Sequence, residues 1–275
     1  MPELPEVETM CRGIRPLIGK RIRAVGVPPC TYRPIQIRPS LSEIERRLVG
    51  SRVVDIVRLG KRVVIQTGND SLLLQPKMTG MVTLDQPPDR EHVRLQVKFQ
   101  SRVQLQFWDR RGLGTVELLA NHELQSRIVD GRLGSDALAI AVDEFIARLR
   151  STKRPIKVAL LDQKLMAGIG NLYASEMLFV AKINPKKSSA RISAARLKIL
   201  HQTMLAILNT AIANEGSTLS DGTYRNALNN PGSYQNMHRV YDKAGDLCGS
   251  CQVAMIHRIV QAQRSTFYCP NCQSN

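Results

Sequence analysis

Val7, Met10, Cys11, Ile14, Leu17 and Ile18 recur at helical spacing, which predicts an amphipathic helix that docks the amino terminus. Pro5 suits its first turn, and Glu6 and Glu8 suit the positive end of its dipole. From about residue 20 to 120 the pattern becomes short β-branched runs at 21–27, 51–59, 62–67, 71–74, 81–84, 92–99, 102–108 and 115–119, divided by turns. That spacing predicts an antiparallel β-sandwich. Residues 41–48, with Ile44 and Leu48 on one face, read as a helix inserted in the series. Beyond about residue 135 the period is helical, at 143–149, 155–165, 171–181, 193–214 and 219–226, with loops at 182–189 and 229–233. The tail from about 239 is short-stranded. The expected class is α+β and multi-domain: 1–134 an N-terminal helix plus β-sandwich, 135–238 a helical domain, and 239–275 a hairpin tail.

Charge narrows the class of partner. Lysine and arginine outnumber acids 39 to 23 in the 275 residues, a net charge of +16 that favours a polyanion, nucleic acid first. No apolar run is long enough to span a bilayer, and the acidic start lacks the basic-then-apolar order of a secretory signal. A cytoplasmic location without membrane contact is the expectation. In a reducing compartment cysteines bind metal more readily than they form disulfides. Cys248-Gly249-Ser250-Cys251 and Cys269-Pro270-Asn271-Cys272 are two C-x2-C knuckles whose separation fits one tetrahedral four-thiolate zinc ion. With every position taken by protein, that zinc is structural. Cys11 and Cys30 lack such spacing, and Cys11 falls on the buried face of the first helix.

The first three residues carry the candidate chemistry. Removal of Met1 leaves Pro2 as a terminal secondary amine followed at once by the Glu3 carboxyl. A terminal amine has a reference pKa of about 8 against roughly 10.4 for lysine, so far more of it is unprotonated near neutrality. Attack by such an amine on a sugar's anomeric carbon leaves an iminium, an electron sink that eases elimination at neighbouring carbons. Glu3 is close enough to move protons for that step.

The opening run PELPEVET, read with the segments below, resembles the formamidopyrimidine-DNA glycosylase family of bacterial base-excision repair, over essentially the whole chain. The resemblance implies a helix-two-turn-helix domain at 135–238 and a zinc-finger hairpin at 239–275. It implies a bifunctional DNA glycosylase and abasic-site lyase for oxidised purines, with damaged duplex DNA as partner and a monomer sufficient. Pro2 is then the nucleophile, Glu3 the acid that helps open the sugar, and Glu6 a supporting carboxylate. Lys61, in Leu59-Gly60-Lys61-Arg62, matches a lysine that protonates the leaving base or organises phosphates. Gln75-Pro76-Lys77-Met78-Thr79-Gly80 resembles the family's His-Leu-Gly-Met-Ser-Gly turn, whose methionine fills the hole left by the extruded nucleotide. Asp109-Arg110-Arg111-Gly112-Leu113-Gly114 resembles Asp-Pro-Arg-Arg-Phe-Gly. Arg111 there faces the orphaned base, and Leu113 replaces the wedging phenylalanine without its π face. Arg90 and His92 fall in a phosphate-touching segment. Lys153 and Asn171, the latter in Gly168-Ile169-Gly170-Asn171, match phosphate ligands at a helix start. Arg264 matches the arginine that grips the phosphates flanking the lesion. Ser217, Thr218 and Tyr224, in a loop that folds over an extruded oxidised purine, are candidate base contacts. Three alternatives stay open: an endonuclease VIII-like enzyme for oxidised pyrimidines, a catalytically inactive DNA-binding homologue, and, from the zinc tail and basic charge, an RNA-binding protein of the translation machinery.

Overall fold

The amphipathic start becomes α1 (Leu4–Ile14), whose face of Leu4, Val7, Met10 and Ile14 is fully buried. The structure is a computed structural model, and it describes residues 2–129, 133–219 and 222–274. After α1 come β1 (Ile22–Gly26), β2 (Gln36–Arg38), α2 (Leu41–Leu48), β3 (Asp55–Leu59), β4 (Arg62–Gln66) and β5 (Asp70–Gln75). β6 (Gly80–Leu84), β7 (Val93–Phe99), β8 (Gln104–Asp109), β9 (Thr115–Ala120) and α3 (Asn121–Val129) follow. The strands form one sheet in the order β1-β7-β8-β6 and a second in the order β2-β9-β5-β4-β3. Pairing is antiparallel except at the edge, where β2 runs parallel to β9. α1 touches β6 of the first sheet and β3 and β4 of the second, so its apolar face shares one core with Leu74, Val82 and Phe107. β2 has three residues and α3 follows β9 directly; neither has a hydrophobic period long enough to announce it.

By packing, the chain divides into two units, Met1–Asp130 with Ile212–Gln235, and Gly131–Ala211 with Asn236–Asn275. The segment 212–235, expected with the helices, thus returns to the first unit. Leu84 donates to the Ala227 carbonyl at 2.9 Å, and Tyr224 is buried with its hydroxyl on the Glu215 carbonyl at 3.0 Å. The helix expected at 219–226 is absent from its described residues. Gly222 adopts φ +60, and burial of Tyr224 overrides local propensity.

The second unit contains β10 (Ser135–Asp136) paired in parallel with β11 (Met166–Ala167), α4 (Val142–Arg150), α5 (Ile156–Leu160), α6 (Asn171–Val180) and, up to Ala211, α7 (Ala194–Ala213). α5 is shorter than the expected 155–165. Asp162 accepts the Lys164 amide at 2.9 Å, a local bond that competes with helix continuation. The tail supplies the hairpin β12 (His257–Gln261) and β13 (Arg264–Tyr268). Glu176 of α6 is fully buried and accepts the backbone amides of Arg239, Val240 and Tyr241, each at 2.9 Å, which ties the tail to α6 without leaving a buried charge unsatisfied.

Candidate active site and nucleic-acid interface

Pro2 is buried and Glu3 is 3% exposed, so the candidate nucleophile is docked rather than frayed. Glu3 caps α1, and Glu3 and Glu6 form a capping box in which the Glu6 carboxylate accepts the Glu3 amide at 2.8 Å. The other Glu6 oxygen accepts the Ser217 amide at 2.9 Å. Glu6 therefore joins the backbone beside Pro2 to the loop at 216–218. Gly216, with φ +79, lies so near that an added Cβ would meet the Glu6 carboxylate at 2.8 Å.

Lys61 sits at the two-residue turn between β3 and β4, where Leu59 pairs with Arg62 and Gly60 takes φ +57, as hairpin twist demands. Arg58 fixes this turn to the first helix. Its guanidinium donates to Glu8 at 3.1 Å and to the Gly60 carbonyl at 3.1 Å. Nothing in the sequence marks Arg58, because its partners are far along the chain or in the backbone.

Met78 is 41% exposed at the tip of its turn, with Lys77 in the left-handed region at φ +52 where the resembled motif has glycine. Arg111 is exposed and Leu113 half-buried on the loop that follows β8. Asp109 is fully buried beneath them. It accepts the Thr79 hydroxyl at 2.5 Å, the Arg111 amide at 3.2 Å and the Gly114 amide at 2.6 Å. Arg94 supports the same loop from below, donating to the Asp109 carbonyl at 2.8 Å. Arg90 is exposed, but His92 is buried: it stacks on Tyr32 at 4.5 Å, packs edge-on to Trp108 and bonds Asp89 at 2.9 Å. Thr218 and Tyr224 likewise use their hydroxyls internally, on the Tyr224 and Glu215 carbonyls, and Ser217 is buried.

In the second unit, Asn171 opens α6, and its Oδ1 is buried with no partner among the described residues. Gln163 shapes the preceding turn: its amide donates to the Leu161 and Ile169 carbonyls and its oxygen accepts the Gly168 amide. Lys153 is exposed ahead of α5. Arg264 is exposed at the start of β13, directly after Ala262 and Gln263, which both take positive φ, 45° and 60°. Non-glycine residues in that conformation carry strain, which something must hold. Lys157 is fully buried and spends three donors on Ser175, the Ser265 carbonyl and Thr266 at 2.9–3.0 Å. It thereby clamps β13 to α5 and α6, a role the sequence does not announce.

The four sulfurs of Cys248, Cys251, Cys269 and Cys272 lie within 4.8 Å of one another, with cross pairs at 3.8 and 3.7 Å. A tetrahedron of thiolates about 2.3 Å from zinc has edges of roughly 3.8 Å, which the two cross pairs match. The amide of Ala254, the Asn271 side chain and the amide of Val253 pull the Cys251 thiol down to about 6, whereas burial and the facing thiols push Cys272 up to about 12. Zinc entry must therefore release protons.

These features define a two-unit protein that carries a buried Pro2 beside Glu3, exposed side chains on two loops and a closed four-cysteine centre. The description "Formamidopyrimidine-DNA glycosylase N-terminal domain" matches residues 1–116, "Formamidopyrimidine-DNA glycosylase H2TH domain" matches 133–223, and "Zinc finger found in FPG and IleRS" matches 254–275. The formamidopyrimidine-DNA glycosylase of Streptococcus pneumoniae is 36% identical over 99% of both chains. That of Chloroflexus aurantiacus is 37% identical over 99% of this chain and 98% of the relative. A Lactococcus lactis Fpg mutant complexed with Fapy-dG containing DNA superposes with a TM-score of 0.89 at 32% identity, and the L. lactis Fpg complex with abasic-site DNA with 0.88 at 31%; each covers 100% of both chains. The chain belongs to the formamidopyrimidine-DNA glycosylase family, with one structural zinc ion held by Cys248, Cys251, Cys269 and Cys272. No helix among the described residues is long and apolar enough to cross a membrane.

Proposed function

We propose that this protein is a bifunctional DNA glycosylase and abasic-site lyase that excises oxidised purines, formamidopyrimidines and 8-oxoguanine among them, from duplex DNA in the bacterial cytoplasm. The observation that carries the reading is the docking of Pro2 and Glu3, with the Glu6 carboxylate holding the Glu3 amide on one side and the Ser217 amide on the other. The Pro2 nitrogen attacks C1′ of the damaged nucleotide, and the glycosidic bond breaks as the base leaves with a proton that Lys61 supplies. The Glu3 carboxylate takes the proton released from the Pro2 nitrogen and delivers it to the ring oxygen as the C1′–O4′ bond breaks, leaving an iminium between Pro2 and C1′. Loss of a proton from C2′ then expels the 3′ phosphate, and a second elimination expels the 5′ phosphate. Met78, Arg111 and Leu113 occupy the place of the extruded nucleotide and face its widowed partner. Lys153, Asn171, Arg264 and Arg90 bind backbone phosphates. The amide of Asn171 can turn Nδ2 towards a phosphate, because its two ends are interchangeable.

Duplexes with one modified base each, scored for strand cleavage, test the substrate class, and borohydride trapping on an abasic duplex tests the mechanism. Oxidised purines are cleaved in preference to oxidised pyrimidines, and Pro2→Gly abolishes the covalent adduct. Preference for pyrimidines would favour the endonuclease VIII-like alternative. Absence of any adduct would mark a binding protein without catalysis.

A further inference from the structure

We propose that Thr79 is a specificity-determining positioning residue, which locks the Met78 turn and the Arg111–Leu113 loop into a single probe of the base pair. The inference rests on the assignment of those two loops to the extruded nucleotide's place and its partner base. The two loops are separate in sequence, one between β5 and β6 and the other between β8 and β9. Their junction is buried: Thr79 is 4% exposed and Asp109 fully buried. The Thr79 hydroxyl works in both directions. It donates its proton to Asp109 Oδ1 at 2.5 Å and accepts the Arg111 amide at 3.0 Å. The same Asp109 oxygen accepts the Arg111 amide at 3.2 Å, and the second oxygen takes the Gly114 amide at 2.6 Å. Gly80 pairs with Asp109 at the end of the β6–β8 ladder, so the hydroxyl sits where two strands diverge into two loops.

A hydroxyl that donates to a carboxylate and accepts from the neighbouring loop's backbone fixes one loop against the other in two bonds. Displacement of the turn that carries Met78 therefore shifts the amide of Arg111. Arg94 makes the base of this arrangement stiff, since it holds the Asp109 carbonyl at 2.8 Å while itself buried. Filling the vacated stack and reading the opposite base become one event rather than two. Leu113 sharpens the need, because a leucine cannot stack to hold its own position as an aromatic wedge does.

Valine is the isosteric test, since it keeps the volume and loses the hydroxyl; serine keeps the hydroxyl. Wild type, Thr79→Val and Thr79→Ser are compared for binding to a duplex with an uncleavable abasic-site analogue opposite C or A, and for excision of an oxidised purine opposite each. Thr79→Val is expected to reduce the preference between C and A on the order of tenfold in both readouts, the scale of one lost bond to a charged group. Thr79→Ser is expected to retain it, with cleavage of a preformed abasic site within about twofold in all three proteins. An unchanged preference in a folded Thr79→Val protein overturns the proposal. So does an equal fall on every duplex, which is the mark of lost stability alone, or equal binding of the wild type to both duplexes. If the wild type excises no oxidised purine yet its binding preference collapses in Thr79→Val, the assigned activity fails and the coupling stands.

Discussion

Replacing Glu6 with glutamine changes one oxygen to an amide group and little else in volume. In the folded protein each carboxylate oxygen accepts a backbone amide, Glu3 at 2.8 Å and Ser217 at 2.9 Å, and the side chain is 3% exposed. Glutamine can accept only one of these. Its NH2 group must then face the other N–H, leaving two buried donors opposed. A hydrogen bond to a charged acceptor contributes about 1.5–3 kcal/mol, and a buried donor without a partner costs about 1–3 kcal/mol. A loss of roughly 2–4 kcal/mol localised at this junction corresponds to a factor between about 30 and 1,000 in the population of the aligned terminus. Single-turnover borohydride trapping on a preformed abasic duplex reads that population, with DNA affinity measured separately. Glu6→Gln is expected to slow trapping by at least about tenfold while affinity stays within about threefold. A trapping rate equal to wild type, in a protein that still melts cooperatively, would refute the argument that Glu6 aligns Pro2.

Three further outcomes follow from other parts of the molecule. Cys269→Ser is expected to lose zinc and DNA affinity together, because the zinc knuckles flank the hairpin that presents Arg264; metal analysis beside a binding titration checks this, and full affinity in zinc-free protein would count against it. Affinity for a damaged duplex should fall steeply between low and moderate salt if Arg90, Lys153 and Arg264 all neutralise phosphates, and replacing any one should flatten the slope by about one. Burial, then the nearby Lys243, depresses His238 from 6.5 to about 4. Below pH 6.5 the unfolded chain takes up a proton that the folded chain refuses, so stability is full above that pH and falls towards pH 4, by roughly 2 kcal/mol at pH 5. Thermal melts at pH 7 and 5 should show a smaller acid shift in His238→Gln than in wild type; equal shifts would remove His238 from the explanation.

Much of the architecture was legible because it rests on local periodicity. The α1 face, the alternating strands and the cysteine knuckles are each encoded within a short window, and each folds as its spacing implies. Legibility fails where distant contacts decide. The 219–226 stretch looks helical in isolation but is recruited to the first unit by Tyr224, and Asp162 ends α5 early through its own side chain. The candidate site divides in the same way. The candidate residues stand in recognisable motifs, whereas those that hold them do not. Arg58 is an ordinary strand arginine until its bonds to Glu8 and Gly60 are seen, and Lys157 an ordinary helix lysine until Ser265 and Thr266 close on it. His92 has a further role that its motif does not announce, since its ring packs against Tyr32 and Trp108.

The central claim is that the imino nitrogen of Pro2 becomes bonded to deoxyribose, and peptide mapping of the borohydride-trapped complex by mass spectrometry addresses it most directly. The expected product is an N-terminal peptide that begins at Pro2, without Met1, and carries the reduced sugar on that nitrogen. A sugar attached to a lysine, or vigorous incision by protein that retains Met1, would contradict it.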